Sequence, residues 1–77
     1  MKVIIDNILY DTDKAELVCT YENCWISDLY KTKNSRWFQV RHAGYKCLET
    51  IELPAVKEIL SEKIDLYRKY IGEPKEA

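Results

Sequence analysis

The chain has 77 residues with 12 basic and 13 acidic side chains, so its formal net charge is −1. This length suits one small domain, and we expect a single domain over residues 1–77. The near-zero net charge argues against a global DNA mimic and against a histone-like DNA binder. The longest apolar run, Val3-Ile4-Ile5, is too short for a membrane span or a signal peptide. We therefore expect a cytoplasmic protein with no membrane partner.

Three elements are predicted in the first part of the chain. Two β-prone runs flank Asp6 and Asn7, and both of these residues tolerate a positive φ. This pattern predicts a tight hairpin with strands at 2–5 and 8–10. Thr12 is a good N-cap residue and is followed by acidic residues, which predicts one short helical turn over 12–16. The β-branched and aromatic residues that follow predict a strand at 17–22.

The clearest hairpin is predicted at residues 26–42, with strands at 26–32 and 36–42 around a polar turn. Side chains alternate between the two faces of a strand, so Phe38 and Val40 share one face of the second arm. Phe38 and Val40 are expected to belong to the core. The neighbouring Trp37 is therefore expected to face solvent, on the same side as Gln39 and Arg41. The alternative is that Trp37 packs on the neighbouring strand, or that the alternation slips by one residue and Trp37 is core.

A change of period predicts a helix at the end of the chain. A short edge strand is expected over 47–53, stopped by Pro54, which also suits the first turn of a helix. From 55 to 71 the apolar residues step by three or four positions, and Gly72 ends the pattern. The stripe expected to be buried consists of Val56, Leu60, Ile64 and Tyr67. The predicted fold class is α+β, a small antiparallel sheet of hairpins packed on one C-terminal α-helix.

Charge is unevenly distributed along the chain. Residues 29–48 carry five basic and no acidic residues, whereas residues 1–28 carry two basic and six acidic ones. The basic segment also contains aromatic residues, a combination that suits a protein interface and also suits nucleic acid. The alternative, favoured over nucleic acid, is a solvated hairpin whose basic residues pair with the acidic parts of the chain. The predicted partner-binding residues of this segment are Tyr30, Lys31, Lys33, Arg36, Trp37 and Arg41.

The three cysteines allow two interpretations. An odd number of cysteines without a signal peptide favours free thiols in a reducing compartment, and this is the interpretation we prefer. The alternative is a structural zinc site formed by Cys19, Cys24, His42 and Cys47, which are ligand types that zinc accepts. The spacing C-x4-C is less usual for zinc than C-x2-C, so we predict no metal.

Three segments together resemble a family of small proteins encoded by phages, integrative elements and their bacterial hosts. The segments are Leu9–Leu17 with its Tyr-Asp-Thr element, Leu29–Phe38 with its Leu-Tyr-Lys-Thr-Lys hairpin, and Ile51–Pro54 at the helix entry. The chain departs from that family at Ser35, where a turn glycine is usual, and it lacks the glycine-rich stretch that commonly follows the hairpin. The resemblance implies an accessory role in mobile-element biology, such as binding and inhibiting a host defence complex.

An enzyme is the function class least favoured by the sequence. General acid–base catalysis needs titratable groups gathered in a cleft, and a chain of 77 residues with one histidine rarely forms one. We therefore expect neither catalysis nor a cofactor. We instead expect a non-catalytic accessory protein that binds and inhibits a host protein complex. The alternative is a small nucleic-acid-binding protein that uses the basic aromatic hairpin 29–48, stapled by zinc if the metal site forms. Because so small a core is marginal, we also expect self-association through an edge strand or the helix.

Overall fold

The computed structural model describes residues 1–77 and contains six β-strands and two α-helices. In chain order these are β1 (Lys2–Ile5), β2 (Ile8–Asp11), β3 (Glu16–Asn23), β4 (Trp25–Lys31), β5 (Trp37–His42), β6 (Lys46–Thr50), α1 (Leu53–Leu60) and α2 (Ile64–Tyr70). The α+β fold class is confirmed. The single helix predicted over 55–71 is wrong, since two short helices stand in its place. Neither helix has the length and apolar character required to cross a membrane.

The strands form two antiparallel sheets. β1 and β2 pair as a separate hairpin, and β3, β4, β5 and β6 form a four-stranded meander in that order. In the meander, the β3–β4 and β5–β6 connections lie at one end, and the longer β4–β5 connection lies at the other. A bulge at Val18 shifts the register between the pairs Leu17–Tyr30 and Cys19–Leu29. The sheet consequently carries Val18 on the face that the helices cover.

Local turn chemistry explains how the β1–β2 hairpin forms. Asp6 and Asn7 adopt φ values of 51° and 68°, the left-handed region that a two-residue hairpin turn requires. Strand pairing then joins Val3 to Tyr10 and Ile5 to Ile8, while the pair of Ile4 and Leu9 lies on the outer side. The inner side chains pack on the four-stranded sheet, and the outer pair remains exposed.

Both faces of the four-stranded sheet are covered. One face lies under the two helices, where the buried cluster consists of Val18, Leu29, Trp37, Val56 and Leu60. The opposite face lies under the β1–β2 hairpin, where the buried cluster consists of Tyr10, Phe38, Val40 and Leu48. The ring of Phe38 stacks on Tyr30 with centroids 5.0 Å apart and meets the edge of Tyr10 at 5.5 Å. The chain is therefore built in three layers, hairpin, sheet and helices.

The predicted exposure of Trp37 is wrong. The alternation along β5 is as expected, because Trp37 and Phe38 point to opposite faces, but Trp37 is only 8% exposed. Its ring packs edge-on against Tyr70 of α2, with centroids 6.0 Å apart. The prediction assumed that one sheet face meets solvent, whereas the helices cover that face and the N-terminal hairpin covers the other.

The helical stripe is interrupted at Ser61. The Ser61 hydroxyl donates to the carbonyl oxygen of Glu58 at 2.7 Å, a local bond that competes with continued helix. Lys63 then leaves the helical region, with φ −112° and ψ 74°. Val56 and Leu60 of the predicted stripe are buried and Tyr67 packs against the same cluster, but Ile64 is 57% exposed. The break turns α2, so that Leu66, Tyr70 and Ile71 contact the core together with Tyr67, and Ile64 does not.

The segment predicted as a helical turn over 12–16 forms hydrogen-bonded turns around Asp11. The Asp11 carboxylate accepts from the amide of Asp13 at 3.0 Å, and its carbonyl accepts from Lys14 and Ala15. Thr12, the predicted N-cap, instead bonds to the N-terminal amine at 2.9 Å. Asp11 therefore caps this turn and begins the approach to β3.

Candidate functional site

The structure separates the six residues predicted to bind a partner. Trp37 is buried and Tyr30 is half-buried against Phe38, so both belong to the core. Lys31, Lys33 and Arg36 lie around the β4–β5 connection, at one end of the sheet. Arg41 lies towards the other end. The prediction of an exposed tryptophan ringed by cations is therefore wrong, although a cluster of cations does form.

We call this cluster the basic end and define it as Lys14, Lys31, Lys33 and Arg36. Lys14, Lys31 and Lys33 line one open hollow of about 510 Å³, together with Ala15, Glu16, Thr32 and Ser35. The ion pairs of the molecule are Arg41–Glu49, His42–Asp28 and Arg68–Glu73, so none involves a residue of the basic end. The acidic parts of the chain therefore leave these four cations unneutralised by direct contact.

The β4–β5 connection that carries the basic end is ordered by its own hydrogen bonds. Thr32 donates its amide to the carbonyl of Arg36 at 2.8 Å, and its hydroxyl accepts from the Arg36 amide at 3.0 Å. Ser35 adopts φ +60°, the left-handed region in which glycine is favoured. The connection thus holds a serine in a backbone conformation that glycine adopts more readily.

Lys31 is anchored differently from the other three cations. Its amine lies 5.8 Å from the ring centroid of Trp37 and 5.7 Å from that of Tyr70. These distances suit cation–π attraction, which holds the Lys31 side chain along the helix-covered face. Lys33 and Arg36 are exposed on the turn itself and are free to reorient towards a ligand.

We call the opposite end of the sheet the aromatic end and define it as Trp25, Ile26 and Tyr45. Trp25 and Ile26 begin β4 after the tight turn at Cys24, and Tyr45 lies in the β5–β6 connection. Trp25 is 49% exposed and Tyr45 is 75% exposed, and Ile26 is also exposed. Aromatic side chains so placed are the types that dominate protein–protein interfaces.

A polar network holds the strands that lead to the aromatic end. The Asp28 carboxylate accepts from the Thr20 hydroxyl at 2.7 Å, and its other oxygen lies 3.0 Å from Nε2 of His42. Burial alone would raise the pKa of Asp28, but the hydrogen bonds from Thr20 and His42 outweigh it and hold that pKa below its ordinary value. The network ties β3, β4 and β5 together near the Tyr45 loop.

Arg41 takes part in a structural ion pair. Its guanidinium lies 2.6 Å from the carboxylate of Glu49 on β6, and both side chains are partly exposed. On the same face, the Tyr21 hydroxyl hydrogen-bonds Gln39. Arg41 therefore links β5 to β6 and is separated from the basic end.

The sequence reasoning missed Trp25, Ile26, Tyr45 and Lys14. Trp25 follows the polar pair Glu22-Asn23 and Cys24, a break between two strand-like segments, and a residue that begins a strand after such a break lies at the end of the sheet. That signal could have indicated its exposure. Lys14 could not have been found in this way, because it meets Lys31 and Lys33 only through the pairing of β3 with β4.

The four candidate zinc ligands do not converge. All three cysteines are free, and the structure contains no group of three or more His, Cys, Asp or Glu side chains that could hold a metal ion. Cys19 lies on β3 and Cys47 on β6, with two strands between them, a separation of roughly 14 Å at ordinary strand spacing. His42 points to the opposite sheet face from both. The zinc alternative is therefore wrong. Separately, burial raises the pKa of the Cys19 thiol above its ordinary value.

Comparison of the chain with protein-family models, with curated proteins and with solved structures finds no match.

Proposed function

We propose that this protein is a non-catalytic accessory protein that binds a host protein complex by its aromatic end and inhibits it. The observation that supports this proposal most is the exposure of Trp25 and Tyr45 at one end of the sheet, where Ile26, on the opposite face of β4 from Trp25, is also exposed. An exposed tryptophan is costly in water, and contact with a partner would remove its apolar surface from solvent. The choice of a host defence complex as the target rests on the resemblance to phage and mobile-element proteins.

The geometry around the aromatic end favours binding without a large rearrangement. Trp25 belongs to a strand paired on both sides, and the network of Asp28 with Thr20 and His42 holds the neighbouring strands. A partner would therefore meet Trp25 on a preorganised strand, and less conformational entropy would be lost there on binding than with a mobile loop. Inhibition would follow by occlusion, since a bound domain of this size covers a partner's own interaction surface.

Affinity capture with matched variants tests the binding. We expect the tagged protein to capture a host complex from cell lysate, and Trp25→Ala or Tyr45→Ser to weaken capture by about 2 kcal/mol or more, as for interface hot spots. Tyr45→Ser is the cleaner variant, because the side chain is highly exposed and its loss leaves the core intact. Ile64→Ala, an exposed apolar position on α2, is the matched control and should capture the complex normally.

A phage challenge tests the inhibition. Cells that express the protein should lose resistance to a phage that the captured complex restricts, and cells that express Tyr45→Ser should keep it. Equal behaviour of wild type and both aromatic-end variants, with all proteins folded, would refute the proposed surface. Capture without any loss of resistance would refute inhibition but leave the binding surface in place.

A further inference from the structure

Beyond the function proposed above, we propose that the basic end is a second binding surface that takes an acidic protein segment with an aliphatic side chain in it. The juxtaposition that carries this proposal is the exposed Leu9 beside Lys14 and Lys33 at one hollow. Leu9, Lys14, Lys33, Asp11, Ala15, Thr32 and Asn34 line a depression of about 160 Å³. It adjoins the larger hollow of the basic end, with which it shares Lys14, Lys33, Thr32 and Ala15.

Charge complementarity points to an anionic ligand. Four cations, Lys14, Lys31, Lys33 and Arg36, surround this end, and none of them forms an ion pair within the molecule. Glu16 is the acidic residue that lines the larger hollow, and Asp11 is buried and occupied in its turn. The two hollows are lined by three lysines, Lys14, Lys31 and Lys33, against two acidic residues, Glu16 and Asp11. A carboxylate brought here would gain charge-assisted contacts without breaking an existing ion pair.

The backbone of the turn adds donors of the right kind. Lys33 and Asn34 lie at its tip, and their amides donate no hydrogen bond within the protein. Successive free amides on an ordered turn can cradle a carboxylate oxygen. Because the hydrogen bonds of Thr32 with Arg36 hold the turn, these donors are already in place before binding.

The aliphatic requirement comes from the outer side of the β1–β2 hairpin. Leu9 and its cross-strand partner Ile4 both face solvent, and Ile4 is 71% exposed. A leucine-sized side chain of a ligand could cover part of this pair while its acidic neighbours reach Lys14 and Lys33. The expected ligand is therefore acidic and apolar at once, rather than a bare anion.

An acidic protein segment fits better than nucleic acid for two reasons. Nucleic-acid surfaces use exposed aromatic rings to stack bases, but the aromatic residues beside these cations, Tyr30, Trp37 and Phe38, are packed in the two core clusters. In addition, residues 1–28 carry six acidic residues against two basic ones, which would repel a long polyanion running across the molecule. A short acidic segment contacts the basic end alone.

Titration of the ¹⁵N-labelled protein with defined probes tests this proposal. The probes are a short synthetic peptide of Glu and Asp around one Leu, the same peptide with Ser in place of Leu, single-stranded oligothymidylate, and inorganic phosphate. We expect the Leu peptide to shift the amide signals of Leu9, Lys14, Lys33 and Asn34. The Ser peptide should bind several-fold more weakly, and oligothymidylate and phosphate more weakly still.

Charge-reversal variants locate the site. Lys33→Glu and Lys14→Glu should each weaken binding of the Leu peptide roughly tenfold or more, because each replaces attraction with repulsion. Lys57→Glu on α1 changes the net charge equally at a distant exposed position and should leave affinity nearly unchanged. Lys33→Gln is a milder variant that removes the charge without adding repulsion, and it should weaken binding of the Leu peptide several-fold. This variant tests the site if Lys33→Glu disturbs the fold.

Four outcomes would overturn the proposal. They are stronger binding of oligothymidylate than of the Leu peptide, equal binding of the Leu and Ser peptides, an equal loss in Lys57→Glu, and no localised shift with any probe. The first would identify a nucleic-acid surface instead. Trp25→Ala should bind the Leu peptide normally, so failure at the basic end and failure at the aromatic end are separate results.

Discussion

The two faces of the four-stranded sheet are buried by different means. The helices cover the face that contains Trp37, and the N-terminal hairpin covers the face that contains Phe38, the next residue in the chain. On the helix side the contacts come from residues far along the sequence, such as Tyr70, whereas on the other side they come from the first ten residues, such as Tyr10. A sheet covered on both faces has only its ends and edges left for binding, and the aromatic end and the basic end both lie at its ends.

The largest effects should come from truncating the two consecutive core aromatics. Phe38→Ala and Trp37→Ala should each lower the free energy of unfolding by about 3–5 kcal/mol, because each leaves a large cavity. Urea denaturation followed by circular dichroism measures this, with the exposed Tyr45→Ala as the control. If Trp37→Ala had wild-type stability, the helix face would be open and the comparison of two buried faces would fail.

The break between the helices should divide the apolar stripe into a strong and a weak half. Leu60→Ala should cost about 2–5 kcal/mol, because Leu60 is fully buried in the helix-side cluster. Ile64→Ala, at the start of α2, should change stability by less than about 0.5 kcal/mol, because the side chain is largely exposed. Equal losses in the two variants would indicate one continuous helix packed on the sheet.

Acid should weaken the hairpin-side face through Asp28. The native pKa of Asp28 is lowered by its hydrogen bonds, so their stabilisation is present above the unfolded pKa of about 3.9 and is lost as the pH falls through the native pKa. Asp28→Asn should cost less than about 1 kcal/mol at neutral pH and should reduce the fall in stability on acidification.

The urea midpoints of Asp28→Asn and of wild type, measured from neutral pH down to about pH 3, test this prediction. Asp65→Asn, an exposed acid on α2, is the matched control and should retain the wild-type pH dependence. A wild-type pH profile for Asp28→Asn would contradict the role of the Asp28 network.

The smallest effect should come from the turn at the basic end. Ser35→Gly should stabilise the protein by about 0.5 kcal/mol. The reason is that the strain which glycine removes from the left-handed backbone outweighs the additional chain entropy that glycine loses on folding. Ser61→Gly should instead destabilise, since Ser61 has a right-handed backbone and its hydroxyl bonds to Glu58. Thermal unfolding of the two variants measures the difference, and a destabilised Ser35→Gly would contradict this backbone assignment.

Local patterns in the sequence were enough for most strands and turns. Asp6 and Asn7 adopt the positive φ values that the pattern predicts, Pro54 lies in the first turn of α1, and Gly72 follows α2 with φ +137°. These features depend on the conformations of single residues and on side-chain alternation. Such preferences act over a few positions, so they can be predicted from the sequence without knowing which elements cover the sheet.

Tertiary structure decided which side chains are available for binding. The alternation on β5 placed Trp37 and Phe38 on opposite faces, but only the packing of α2 determined that Trp37 is buried. In the same way, only strand pairing brought Lys14 to Lys31 and Lys33, and only the lack of a covering element left Trp25 exposed. The physical reason is that local preference sets the direction of a side chain, while its burial depends on elements from distant parts of the chain.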